Sequence, residues 1–144
     1  MKKCMASKIC RIFDCDVKFI WDLTTDPSHY EWRSDLSLVQ FKKNNKYFIE
    51  YYKNGNINEF KILDKDKYKF YRLAIKNKKF IGRLEFEFYP IGKNKTKVIF
   101  CKKIYVKNPI KRFFAKYLWD IKKLHLEYVN NIEDTVYNYK TFNV

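Results

Sequence analysis

From Asn108 onward the apolar residues of this chain recur in steps of three and four, at Ile110, Phe113, Phe114, Tyr117, Leu118, Ile121, Leu124, Tyr128, Ile132, Val136 and Tyr139. That period lines a single face of an α-helix. Asn108 is placed to cap it, and Pro109 stands at the first helical position, where a missing N–H removes no hydrogen bond. The stripe predicts a helix of about 30 residues, about 45 Å long at a rise of roughly 1.5 Å per residue. An apolar face of that length must be covered, so the remainder of the chain has to build one continuous surface large enough to receive it.

Upstream of the helix, turn chemistry recurs at Asn44-Asn45, Asn54-Gly55, Asp64 to Lys67, Asn77-Lys78 and Pro90 to Lys95. The runs between these signals are rich in Tyr, Phe, Ile and Val and stand about 8 to 12 residues apart, the spacing of a strand meander. Asn54-Gly55 predicts a tight two-residue hairpin turn, because both residues accept the positive φ such a turn demands. Phe80, Gly82, Leu84, Phe86 and Phe88 share one face of a strand, and Ile81, Arg83, Glu85 and Glu87 the other. The same period recurs in Asn58, Phe60 and Ile62, and in Thr96, Val98 and Phe100. A sheet with one covered face and one wet face follows. An opening strand over Met5 to Phe13 brings the total to seven.

Two short helices are predicted between the first and second strands. Asp16 caps one that runs through Thr24, with Val17, Ile20, Trp21 and Leu23 inward; Asp26 caps a second, with Pro27 at its first position. The expected fold class is α+β, one domain over residues 1–144, with a seven-stranded curved antiparallel sheet packed on the long C-terminal helix.

The charge balance is strongly basic: 31 Lys and Arg against 16 Asp and Glu, a net +15. Only Arg11, Arg33, Arg72, Arg83 and Arg112 are arginine, whereas surfaces that read bases or clamp phosphates favour the planar guanidinium fork. Nucleic acid is therefore disfavoured, and a solvated lysine coat explains most of the excess. No apolar run approaches the roughly 20 residues of a bilayer span. Ser7, Lys8 and Arg11 break the opening segment, which leaves no secretory h-region and makes a cytoplasmic location the expectation. Cys4, Cys10, Cys15 and Cys101 form no C-x-x-C pair and lie far in sequence from His29 and His125, so reduced thiols are expected and no metal. With three glycines there is no phosphate-cradling loop, and no cofactor is expected.

The segment from Asp16 to Trp32 resembles the opening of the SRPBCC superfamily, which takes in START-like, polyketide cyclase/dehydrase and pollen-allergen-like proteins. Further points of resemblance are Phe48-Ile49-Glu50-Tyr51 before Asn54-Gly55, Phe86-Glu87-Phe88 followed by Pro90 and Gly92, Lys95-Thr96-Lys97-Val98, and Asn108-Pro109 opening the last helix. The resemblance covers nearly the whole chain and implies the helix-grip fold, in which a curved sheet wraps the last helix and leaves an elongated, mostly apolar cavity. It implies a hydrophobic small molecule or lipid-like ligand as the partner, with Trp32, Phe60, Phe86 and Phe88 on one side and Tyr117, Ile121 and Tyr128 of the helix on the other. Stiff aromatic rings suit such walls, although rings at these periods also serve simply as core.

Polar residues that could make the same fold an enzyme are His29, Glu50 and Arg72. Glu50 shares a strand face with Phe48 and Tyr52, and Arg72 with Phe70 and Ala74. If those faces point inward the two charges must pair with each other or with a ligand; if they point outward both are solvated. His125 is expected at the edge of the apolar helix stripe. The leading expectation is a binding protein, monomeric or weakly dimeric. The first alternative is a cyclase- or dehydratase-like acid–base enzyme. The second gives the basic stretch from Lys107 to Lys123 a docking role on anionic membrane or nucleic acid, against the plainer reading of a solvated helix back.

Overall fold

The computed structural model describes residues 3–42, 45–107 and 114–142. Strand β1 (Lys3–Phe13) leads into helix α1 (Val17–Thr25), which begins where the Asp16 carboxylate accepts a hydrogen bond from the Phe19 N–H at 2.8 Å. Ile20 and Trp21 are its buried face. Strands β2 (Leu36–Lys42), β3 (Tyr47–Tyr52), β4 (Ile57–Asp66), β5 (Phe70–Lys76), β6 (Phe80–Gly92) and β7 (Lys95–Val106) follow as a meander, and helix α2 (Phe114–Phe142) closes the described chain. The seven strands form one antiparallel sheet in the order β1-β7-β6-β5-β4-β3-β2, so the first strand leaves its sequence neighbour and pairs with the last.

Register shifts at Leu36/Leu38, Ile62/Asp64 and Pro90/Gly92 place an extra residue in one strand of a pair. Irregularities of this kind bend and twist the strand that carries them, and they curve this sheet. Its concave face carries Tyr71, Leu73 and Ile75 of β5, Phe86 and Phe88 of β6, and Val98, Phe100 and Ile104 of β7, all buried. Against it lie Ile121, Val129, Ile132 and Val136 of α2. Each such side chain contributes about 1.5–3 kcal/mol through burial. Arg11 on β1 ties the helix to the sheet edge, with Nη1 2.7 Å from Glu133 and 3.2 Å from Asn130.

Three expectations need correction. No second helix forms after α1; residues 26–35 run as turns. The Asp26 carboxylate that was to cap it is occupied locally, accepting from the Ser28 N–H at 3.1 Å and from the Ser28 hydroxyl, with His29 Nδ1 at 2.7 Å. Such side-chain-to-backbone bonding stabilises a turn in competition with a helix. The β3–β4 hairpin has a three-residue loop, Lys53 to Gly55, in which only Gly55 has positive φ, +91°. Gly55 N–H donates to the Tyr52 carbonyl at 3.0 Å, and the Asn54 side chain accepts from Asn56 N–H at 2.9 Å, which holds Asn54 out of the left-handed region.

On α2, Leu124 and Tyr139 of the expected stripe are 55% and 49% exposed, while His125 and Val129 are buried in their stead. The buried positions 121, 125, 129, 132 and 136 keep to one line along the helix, and Leu124 stands beside it. Asn44, and the expected cap and first turn at Asn108, Pro109, Ile110 and Phe113, lie outside the described residues. Among the described residues no helix is long and apolar enough to cross a membrane.

Candidate functional site

The concave face, α2 and residues 26–35 line a cavity of about 550 Å³ that opens to solvent. Phe48, Phe60, Leu73, Ile75, Leu84 and Phe86 form its apolar wall from the sheet. Tyr128 of α2 and Trp32 of the turn segment stand across from them, their rings 5.9 Å apart. Exposed lining residues mark the mouth: His29, Asn54 and Asn56 on the loops and Leu124 on the helix.

A polar chain runs into this apolar wall. Glu50 projects inward from β3 and is 6% exposed. Its Oε2 accepts from Arg33 Nη1 at 2.6 Å and its Oε1 from the Tyr52 hydroxyl at 2.5 Å. Arg33 turns its remaining fork to Asp35, with Nε and Nη2 at 3.2 and 2.9 Å, and its guanidinium lies 5.2 Å from the Tyr128 ring centre. Beyond Tyr52, Asn58 Nδ2 donates to the Tyr52 oxygen at 3.1 Å, and Asn77 Nδ2 to Asn58 Oδ1 at 2.9 Å. Burial opposes the Arg33 charge, but Glu50, Tyr52, Tyr128 and Asp35 outweigh it and hold the guanidinium above its ordinary range. Burial, then the Glu50 carboxylate, raises the Tyr52 hydroxyl, so the hydroxyl remains a donor.

The wall nearest β1 has a different character. Lys102 of β7 lies between Ser7 of β1 and Leu84 of β6 and lines the cavity. Burial and then the Arg33 charge, against the pull of Glu50, lower its pKa to about 8. Beside it, His125 Nδ1 is 2.8 Å from Ser7 Oγ, and burial followed by Lys102 lowers the imidazole to about 4. The Tyr71 hydroxyl is buried without a hydrogen-bond partner among the described residues, and burial raises its pKa. The described residues contain no cluster of His, Cys, Asp and Glu able to hold a metal.

Of the residues singled out from sequence, Trp32, Phe60, Phe86, Tyr128 and Glu50 meet at the cavity, and His29 stands at its mouth, exposed and held by Asp26. Phe88, Tyr117 and Ile121 pack elsewhere in the core; Phe88 sits 5.1 Å from Trp21. Arg72 is on the convex face, 3.5 Å from Asp64, so the charge that meets Glu50 is Arg33. His125, expected at an edge, is inside. Sequence reasoning passed over Lys102 although its signal was present: the inward alternation Thr96, Val98, Phe100 reaches it two residues on. Arg33 carried no such signal, because a turn segment has no period.

No protein-family model and no curated protein matches the sequence. The fold, however, has many solved counterparts. A START superfamily protein from Mycobacterium smegmatis superposes with a TM-score of 0.73 at 12% identity, over 92% of this chain and 97% of that one. The protein XoxI from Bacillus cereus gives 0.75 at 9%, over 94% and 98%. Norcoclaurine synthase from Thalictrum flavum, solved with dopamine and hydroxybenzaldehyde, gives 0.71 at 10%, over 96% and 89%. The molecule thus has the helix-grip fold, consistent with the SRPBCC resemblance in its sequence.

Proposed function

We propose that the protein binds one hydrophobic small molecule between the sheet and α2. The observation that carries this reading is the 550 Å³ cavity, walled by aromatic and aliphatic side chains. A pocket of that size and lining suits a small apolar ligand. The hydrogen-bonded chain from Asn77 to Arg33 braces one side of it. Binding is favoured over acid–base catalysis by Glu50 because both its oxygens are already engaged, one by Arg33 and one by Tyr52, so neither is free to face a ligand. A reducing, cytoplasmic setting fits the four free cysteines. Peripheral contact with an anionic membrane during ligand transfer has one observation in its favour, Trp119, 70% exposed on α2 among Lys116, Lys122 and Lys123.

Titration with the neutral fluorophore N-phenyl-1-naphthylamine tests the binding reading. The natural chain should give saturable one-to-one enhancement, and Leu84→Trp, which fills the apolar wall, should weaken it at least about tenfold with the thermal transition retained. Absence of saturable binding by the natural chain, or equal binding by a folded Leu84→Trp variant, contradicts the reading.

A further inference from the structure

The two cations of the inner wall are unequally paired. Arg33 is neutralised twice, by Glu50 at 2.6 Å and Asp35 at 2.9 Å. Lys102 makes no hydrogen bond and no ion pair among the described residues, and the residues outside the description include no Asp or Glu. Ser7 on β1 is the strand partner of Lys102 and His125 on α2 stands beside it; the other charged or titratable groups lining the cavity are Tyr128 and Glu127 on α2, Asp26, His29, Tyr30, Arg33 and Asp35 of the turn segment, Glu50 and Tyr52 on β3, Lys53 of the hairpin loop, and Tyr71 on β5. Of the four carboxylates, Glu50 and Asp35 already serve Arg33, Asp26 holds His29, and Glu127 is exposed. Lys102 is half-buried, and an ammonium without a direct partner on the wall of a largely apolar cavity is complementary to an anion.

We propose that the ligand is an amphiphile with a single carboxylate, which pairs with the Lys102 ammonium while the apolar body lies along Phe60, Phe86 and Tyr128. This rests on the cavity being a binding site. Arg33 and Lys102 together balance Glu50 and Asp35, so a monoanion adds one negative charge, placed beside the cation that has no direct partner; a phosphate dianion brings a second negative charge toward Glu50. The pH behaviour follows from the surrounding groups. His125 is neutral above its pKa of about 4, Arg33 is held charged, and burial keeps Tyr52, Tyr71 and Tyr128 protonated past their ordinary range. Lys102 is then the group of this set that titrates at mildly alkaline pH, and it loses its proton above about 8 in the empty cavity. Acid binding is strongest below that value and weakens above it, since the carboxylate needs the protonated amine.

Displacement of N-phenyl-1-naphthylamine by decanoate, 1-decanol and decyl phosphate is the test. In the natural chain at pH 7, decanoate should compete at least about tenfold better than 1-decanol, and its advantage should shrink as the pH rises through about 8. Lys102→Met should abolish the preference and flatten the pH dependence, and Lys102→Arg should keep the preference and move its decline to higher pH. Equal affinity for acid and alcohol in the natural chain overturns the inference, as does a folded Lys102→Met variant that still prefers the acid. Decyl phosphate matching decanoate overturns the single-charge assignment. If the fluorophore and decanol bind without any acid preference, the cavity reading stands and this inference falls. If the fluorophore does not bind at all, both fall. The pH profile of the natural chain and the arginine variant keep the test decisive even where the methionine variant fails to fold.

Discussion

At the scale of single residues the site is governed by burial working on charge. His125 gives this a sign. Its pKa is lowered to about 4, first by burial and then by Lys102, whereas an unfolded histidine titrates near 6.5. Between those values the unfolded chain holds a proton that the folded chain refuses. The stability involved is fully present above about 6.5 and is lost as the pH falls through the window toward about 4. His125→Gln, which keeps a partner for Ser7 and removes the titration, should flatten this fall. Urea unfolding at pH 7 and pH 4 should show the natural chain losing about 3 kcal/mol more than the variant; parallel losses would show that His125 does not titrate between the two states. The same scale shows why the sequence was only partly legible. Glu50 had two possible faces because the Phe48–Tyr52 strand is aromatic or aliphatic on both sides of it, and only the fold chose. Arg72 has the same alternation around it and went outward.

At the scale of elements, the strands and their meander were legible because turn residues and a period of two act locally, whereas the pairing of β1 with β7 is long-range and left no local signal. The second short helix was not, because Asp26 followed by Ser28 and His29 offers a turn as readily as a cap. Helix α2 was legible as an element but not in its facing, since Leu124 and His125 differ by one position, about 100° around the helix. Truncation separates the two faces. Ile132, fully buried, should cost about 2–5 kcal/mol on Ile132→Ala, while Leu124→Ala at the exposed mouth should cost less than about 1 kcal/mol. Chemical denaturation of the two variants checks this, and comparable losses would mean the helix is rotated from the facing described.

At the scale of the molecule, the proposed binding depends on the space left between two well-formed parts. Between a sheet with three register shifts and helix α2 a cavity of about 550 Å³ remains. The gap between them stays open because the Arg33–Glu50 pair and its hydrogen-bonded extension hold the turn segment and the β3–β4 hairpin in place. Native mass spectrometry of the protein purified from its own cells reads the consequence most directly. It should show a one-to-one adduct of a small organic molecule that is released by collisional heating, and one-to-one uptake of N-phenyl-1-naphthylamine by the emptied chain. A polypeptide that arrives bare, and remains bare in excess fluorophore, would show that the space under the helix receives nothing.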